Sequence, residues 1–280
     1  MKQIFVVGAG TMGLDIARVF AEHGMDVVVR DISDEIIASA EAKLDAALDK
    51  LAARGKLTAE AAAELRGRIR FTVALAPAKD ADLVLEAIVE RADLKIGVFR
   101  ELDAICRPEC IFCSNTSSIS ITQMAAASGR PDRFLGMHFF NPAAVMKLVE
   151  ITRALTTSDE AFRAAYGLCL RIGKEPVEVK DSPGFVVNRL LVPMMNEAAF
   201  LLQEGVASAE DIDRAMALGA NHPMGPLHLA DLVGVDVVLR VCDVLFEETR
   251  DSKYRACVLL RQMVWAGKLG RKTGEGFFRY

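Results

Sequence analysis

The chain has 280 residues, with 34 basic and 38 acidic side chains and a net charge of −4. Apolar residues at 52% and charged residues at 26% place it among folded globular proteins and exclude a disordered, collagen-like or rod-like chain. With no basic excess to grip a phosphate backbone, nucleic acid is not an expected partner. The opening residues run from Met1-Lys2-Gln3 into Ile4-Phe5-Val6-Val7-Gly8 without the long apolar core of a secretory signal, and no stretch holds eighteen uninterrupted apolar residues. The expectation is a cytoplasmic protein that engages no membrane, its six cysteines kept as thiols by a reducing compartment.

From Lys2 to about Lys180, short β-branched runs alternate with helical stretches, the pattern of parallel strands joined by crossover helices. Strands are expected over Ile4 to Val7, Asp26 to Arg30, Ile69 to Val73, Leu83 to Ala87, Cys110 to Ser114 and Phe134 to His138, in a sheet covered on both faces. A helix is expected from Thr11 to His23. Between Ser33 and Gly67 an Ala/Glu/Lys/Leu-rich excursion, broken at Gly55 and restarting at Thr58, predicts a helical hairpin inserted before the third strand. Lys147 to Thr152 and Pro176 to Lys180 read as two more strands around a helix from about Asp159 to Ile172. The turn cluster Asp181-Ser182-Pro183-Gly184 ends the alternation, and helical periodicity follows, interrupted at Gly205, at 219–226 and at Gly234. The expected organisation is a Rossmann-like α/β domain over residues 1–182, with a mostly parallel sheet, followed by an all-helical domain over 183–280. The second part is strongly apolar for a small helical unit, which points to a partner subunit or to packing on the first domain.

The first motif is Gly8-Ala9-Gly10-Thr11-Met12-Gly13. Alone this spacing is weak; here it follows a strand, opens a helix and precedes a second strand that runs into Asp31, eighteen residues past Gly13. In that frame Gly8 makes the tight turn, Gly10 lets backbone approach a pyrophosphate, Gly13 lets helix pack on strand, and the N–H groups that open the helix at Thr11 and Met12 face the anion. Asp31 would accept hydrogen bonds from the adenosine ribose and repel a 2′-phosphate, favouring NAD, whereas Arg30 beside it could pair with that phosphate, so NADP stays open.

Ser114-Asn115-Thr116-Ser117-Ser118 lies at the carboxyl end of a predicted parallel strand, where such sheets place their ligands. His138 sits at another strand end, and Glu150 follows twelve residues later inside the apolar run Lys147-Leu148-Val149-Glu150-Ile151. A carboxylate in an apolar strand is costly unless partnered, so the two form a natural pair: the acid orients the imidazole, as a general base needs when an alcohol loses its proton while its carbon gives up hydride. Taken singly, His138 also fits a packing histidine and Glu150 an edge-strand charge. Asn188, in an expected apolar helix from Phe185 to Leu191, needs a partner if it faces inward. Cys110-Ile111-Phe112-Cys113 lies in a predicted strand that sends its two thiols to opposite faces, so no metal site is expected there.

The segments GAGTMG (8–13), SNTSS (114–118), HFFNP (138–142), MKLVE (146–150), PGFVVNR (183–189), ANHPMGP (220–226) and LGRKTGEGF (269–277) resemble, in order and over the whole length, the 3-hydroxyacyl-CoA dehydrogenase family. The resemblance implies reversible NAD-dependent hydride transfer between an (S)-3-hydroxyacyl-CoA, most simply 3-hydroxybutyryl-CoA, and its 3-oxoacyl-CoA, in a homodimer built through the helical domain. It implies that His138 is the general acid/base, that Glu150 orients it, and that Ser117 and Asn188 hydrogen-bond the 3-oxygen of the acyl-CoA substrate. It places Glu90, Lys95 and Asn115 near the nicotinamide half of the cofactor and Asp31 at the ribose. By pattern alone, Glu90 and Lys95 read as a solvated ion pair flanking a helix start. The inserted hairpin carries Lys50, Arg54 and Lys56; Lys50 and Arg54 share an i,i+4 face that reads as solvated helix surface, and the resemblance makes these three candidates for the phosphates of coenzyme A. Asp15 and Phe278 depart from the usual family pattern. Two rivals remain at this point: the β-hydroxyacid dehydrogenases, which usually rely on a lysine in place of the His138 and Glu150 pair, and a crystallin-like protein that keeps the fold without the activity.

Overall fold

The computed structural model describes residues 1–280 and divides them into two compact units, Met1–Asp181 and Ser182–Tyr280. The first unit is built on an eight-stranded sheet: β1 (Gln3–Val7), β2 (Asp26–Arg30), β3 (Ile69–Thr72), β4 (Leu83–Glu86), β5 (Ile111–Ser114), β6 (Phe134–Phe139), β7 (Leu148–Arg153) and β8 (Glu175–Lys180). In space the order is β3-β2-β1-β4-β5-β6-β7-β8. The first six run parallel, β7 pairs antiparallel to β6, and β8 follows β7 in parallel. The chain therefore leaves the centre of the sheet twice from β1's neighbourhood, and a crevice opens at the carboxyl ends of β1 and β4 where the direction of winding reverses.

Six helices serve this sheet: α1 (Thr11–Glu22), α2 (Asp34–Ala53), α3 (Ala59–Gly67), α4 (Ala92–Asp103), α5 (Ile121–Ala127) and α6 (Asp159–Arg171). Most of their starts follow from capping chemistry. The side chains of Ser33, Thr58, Ser120 and Ser158 accept from Ile36, Ala61, Gln123 and Ala161, each satisfying a backbone donor that the first turn leaves without a partner. The core forms where Ile4, Val6, Val27, Val29, Leu83, Leu85 and Ile111 meet Ile16, Phe20 and Leu44 of the flanking helices. The hairpin of α2 and α3 is held by Arg66, which spans Glu41 and Asp45 of the facing helix.

The second unit contains α7 (Val187–Gln203), α8 (Ala209–Gly219), α9 (Pro226–Val233), α10 (Val235–Thr249) and α11 (Val258–Trp265). Its main core joins Val192, Met195, Ala199, Val238, Val241, Leu245 and Leu260. Buried Asp231 accepts from the backbone N–H groups of Phe277 and Phe278 and from the Tyr280 hydroxyl, tying the C-terminal segment to α9. No helix is long and apolar enough to cross a membrane.

Two local expectations are corrected. Helix α7 starts at Val187, because Phe185 adopts a left-handed φ of 49° that ends the preceding turn. The fifth strand starts at Ile111, so Cys110 stands ahead of it and its thiol meets Cys106, while Cys113 lies in the core. Helix α2 ends at Ala53 with Arg54 as its C-cap, whose N–H still donates to the Lys50 carbonyl, so the i,i+4 relation of Lys50 and Arg54 carries into the last turn, while Lys56 lies beyond it.

Candidate active site

Gly8 follows β1 with a φ of 109°, and a side chain there would meet the Ala87 carbonyl oxygen at 2.5 Å. A Cβ on Gly13 would lie 1.9 Å from the Gly8 carbonyl oxygen, so both glycines are demanded by the turn itself. Gly10 differs. Its backbone is extended, nothing lies within 4 Å of where its Cβ would sit, and as the N-cap of α1 it supplies no side-chain cap, unlike the serines and threonines that start most of the other helices of this unit. An open surface beside the uncapped N–H groups of Thr11 and Met12 fits a pyrophosphate, whose oxygens would satisfy those donors.

At the end of β2, the Asp31 carboxylate accepts from the Ala9 N–H at 2.6 Å and from the Ile32 N–H at 2.7 Å. It thus fixes the glycine turn and retains lone pairs for a ribose hydroxyl. The Arg30 Nε donates to the Val73 carbonyl at 3.1 Å, which turns part of the guanidinium toward the third strand's exit.

The next strand ends hold a cluster of buried charge. Lys95, on the first turn of α4 and only 1% exposed, places its ammonium 2.7 Å from Glu86 Oε1 and 3.0 Å from Glu90 Oε2. Glu86, the last residue of β4 and wholly buried, also accepts from Ser114 Oγ at 2.6 Å and from the Ile88 N–H at 2.7 Å. Glu90 Oε1 accepts from Thr116 Oγ1 at 2.5 Å, from Ser118 Oγ at 2.8 Å and from the Ser117 N–H at 3.2 Å. Burial by itself would push the Glu90 carboxyl up, but the Lys95 ammonium and the hydroxyls of Thr116 and Ser118 outweigh it and hold the group below the ordinary glutamate range. The expected solvated ion pair is therefore a desolvated one, because Glu86, which sequence reasoning missed, faces Lys95 across the strand end. A charged residue closing the apolar run from Leu83 to Glu86 was the available signal, of the same kind as Glu150.

These contacts sort the polar segment after β5 by alternation. Ser114, Thr116 and Ser118 are buried and turned onto the two glutamates, while Asn115 and Ser117 are half-buried. Asn115 Oδ1 accepts from the Phe139 N–H at 2.8 Å, linking this segment to the end of β6.

His138 and Glu150 stand directly opposite each other in the antiparallel pair of β6 and β7. Their Nδ1 and Oε2 are 2.8 Å apart, with the side chains 8% and 1% exposed. The hydrogen bond fixes which nitrogen faces the acid, and the Phe140 ring packs on the imidazole at 4.5 Å. Behind them, the buried Lys174 ammonium donates to the carbonyls of Ala143 and Met146, and the Asp15 carboxylate accepts from the Ala144 N–H, so the segment joining β6 to β7 is held from two sides. A groove of about 290 Å³ runs between α1, α2 and this segment, bordered by Thr11, Asp15, Arg18, Lys43, Ala47 and Asn141. Lys50, Arg54 and Lys56 are exposed beyond it. Asn188 is the second residue of α7 in the helical unit.

A doubly wound sheet with an uncapped glycine turn at β1, an acid at the end of β2 and a buried acid–imidazole pair at β6 and β7 defines a dinucleotide-dependent dehydrogenase. The model of the 3-hydroxyacyl-CoA dehydrogenase NAD binding domain matches residues 3–182, and that of the family's C-terminal domain matches residues 184–280. The chain belongs to the 3-hydroxyacyl-CoA dehydrogenase family, NAD-dependent oxidoreductases that interconvert 3-hydroxyacyl-CoA and 3-oxoacyl-CoA. It is 50% identical over 275 residues, 98% of its length and 99% of the relative's, to a probable 3-hydroxybutyryl-CoA dehydrogenase of Deinococcus radiodurans. It is 42% identical over 288 residues, all of this chain and 91% of the relative, to the mitochondrial hydroxyacyl-coenzyme A dehydrogenase of Mus musculus. The crystal structure of (S)-3-hydroxybutyryl-CoA dehydrogenase from Ralstonia eutropha superposes with a TM-score of 0.96 at 49% identity, covering 100% of this chain and 99% of that one.

Proposed function

We propose that the chain interconverts (S)-3-hydroxybutyryl-CoA and acetoacetyl-CoA, with His138 as the general acid/base. The observation that carries this reading is the 2.8 Å contact between His138 Nδ1 and the buried Glu150 carboxylate. With Nδ1 committed to the acid, Nε2 takes the hydroxyl proton during oxidation and returns it during reduction, while Glu150 steadies the imidazolium. Ser117 and Asn188 hydrogen-bond the C3 oxygen and stabilise the charge that develops there. Asn115 and the cluster of Glu90 and Lys95 line the nicotinamide half of the crevice, and Asp31 with the turn from Gly8 to Gly13 takes the adenosine end. When bound, NAD accepts the hydride from C3. Lys43, Lys50, Arg54 and Lys56 supply positive charge on the hairpin for the coenzyme A phosphates. The helical domain from residue 183 onward contributes Asn188 and carries the dimer contact, and the six buried free thiols accord with a cytoplasmic setting.

Oxidation of NADH by acetoacetyl-CoA, followed at 340 nm across a series of acyl lengths, tests this assignment. His138→Ala is expected to lower kcat by about 10²- to 10⁴-fold with NADH affinity retained. Glu150→Gln, which keeps the shape and removes the charge, is expected to lower kcat by about 10- to 100-fold, the worth of one hydrogen bond to a charged partner. Near-normal turnover in both variants overturns the assignment.

A further inference from the structure

The cluster at the ends of β4 and β5 is not electrically balanced. Glu86 and Glu90 bring two formal negative charges and Lys95 one positive, and the other groups that reach the carboxylates are neutral: the hydroxyls of Ser114, Thr116 and Ser118 and the N–H groups of Ile88 and Ser117. A neutral side chain at position 86 would leave Lys95 and Glu90 as a matched pair. Instead, the formal count leaves one negative charge over at a site where Glu86 and Lys95 are screened from water almost completely. Keeping it there is costly unless something positive shares the site.

Strand order points to a candidate. Asp31 follows β2 and the glycine turn follows β1, so the adenosine and pyrophosphate would lie over that side of the sheet. The remaining half of the dinucleotide would run the other way, over β4 and β5 toward His138 at β6. Glu86 ends β4, Ser114 ends β5, and Glu90, the cluster's least buried member, has its side chain 18% exposed. The oxidised nicotinamide ring carries a positive charge that the reduced ring lacks.

We propose that Glu86 is a positioning and charge-setting residue: it supplies the excess negative charge that favours the oxidised, cationic form of the cofactor over the reduced form, and holds Lys95 so that Glu90 can order the segment carrying Asn115 and Ser117. This rests on the nicotinamide reading of the crevice given above. Glu86 itself touches neither substrate nor cofactor and acts through Lys95, Glu90 and Ser114. Because Glu86 acts through intervening groups and not in contact, only a small part of the contact-range attraction of a unit charge is realised, and relative affinity is expected to change by about three- to tenfold.

The test is to measure dissociation constants of NAD⁺ and NADH separately for the intact enzyme, by calorimetry for the first and fluorescence for the second. Glu86→Gln is expected to weaken NAD⁺ about three- to tenfold relative to NADH. Glu86→Asp, which keeps the charge while shortening the reach, is expected to leave the ratio within about twofold of the native value even if it lowers stability. A purely structural role would weaken both forms together, so an unchanged ratio in Glu86→Gln, or an equal shift in Glu86→Asp, overturns the inference. Should Glu86→Gln fail to fold, Glu90→Gln removes one charge from the same cluster; the same directional shift sustains the inference and its absence overturns it. A native protein that binds neither form refutes the nicotinamide reading itself, and the inference with it.

Discussion

Alanine at Gly10 and alanine at Gly13 differ by one methyl group in neighbouring turns, yet they should separate binding from folding. At Gly13 the methyl would lie 1.9 Å from the Gly8 carbonyl oxygen, where ordinary contact needs 3.4 Å or more. The backbone must open by over an ångström, against a turn pinned by the Asp31 bond to the Ala9 N–H, and such overpacking costs about 3 kcal/mol. For a unit of this size that is about 6–12 °C in Tm. At Gly10, φ is −68° and ψ is −176°, which alanine adopts freely, and the space beside it is open. There the change should leave the stability of the unliganded protein within about 1 kcal/mol of native, the gain through the unfolded chain being set against alanine's poorer fit at an N-cap. The same methyl would occupy the surface a pyrophosphate must approach, so NADH affinity should fall by about 10²-fold. Thermal unfolding without ligand, paired with NADH fluorescence titration, reads both quantities. Native affinity in Gly10→Ala, or a Tm loss there equal to that of Gly13→Ala, would refute the reasoning.

Acid stability should reflect Glu90. Its carboxyl is held below the ordinary glutamate range near 4.5, so it contributes stability that is complete above that pH and lost as pH falls through the lowered value. Glu90→Gln should therefore flatten the decline in stability below about pH 4.5, measured by urea titrations at successive pH values; an unchanged slope would contradict the assignment. Arg130 lies 4.3 Å over the Phe112 ring and donates to the Asp103 carboxylate and to the carbonyls of Asp103, Cys106, Arg107 and Cys110. Arg130→Met should cost about 3–5 kcal/mol in a chemical melt, and Arg130→Lys should recover little because an ammonium cannot reproduce the planar fork. All six cysteines are buried, and desolvation pushes the Cys169 and Cys242 thiols up to about 12. A chromogenic disulfide at pH 8 should find less than about one reactive thiol in the native protein and all six after denaturation.

The dehydrogenase frame was legible in the sequence because its signals are local. Two-sided apolar runs of four to six residues dictate buried parallel strands, serines and threonines mark the helix starts, and Gly8, Gly10 and Gly13 declare a turn that other residues cannot make. His138 and Glu150 could be paired in thought because each is a charge-bearing exception in an apolar strand, close enough along the chain for one hairpin to join them. Tertiary structure alone decided the rest. Glu86 and Ser114 are 28 positions apart, and no periodicity shows that adjacent strands end level, so that a serine, two glutamates and a lysine share one desolvated cluster. For the same reason Lys95 looks solvated in sequence and is buried in the fold, since its amphipathic position says which face of α4 it occupies but not what lies opposite. Periodicity is a property of one element, whereas the charge balance of a crevice depends on which elements meet, and that is settled only when the sheet has closed its register.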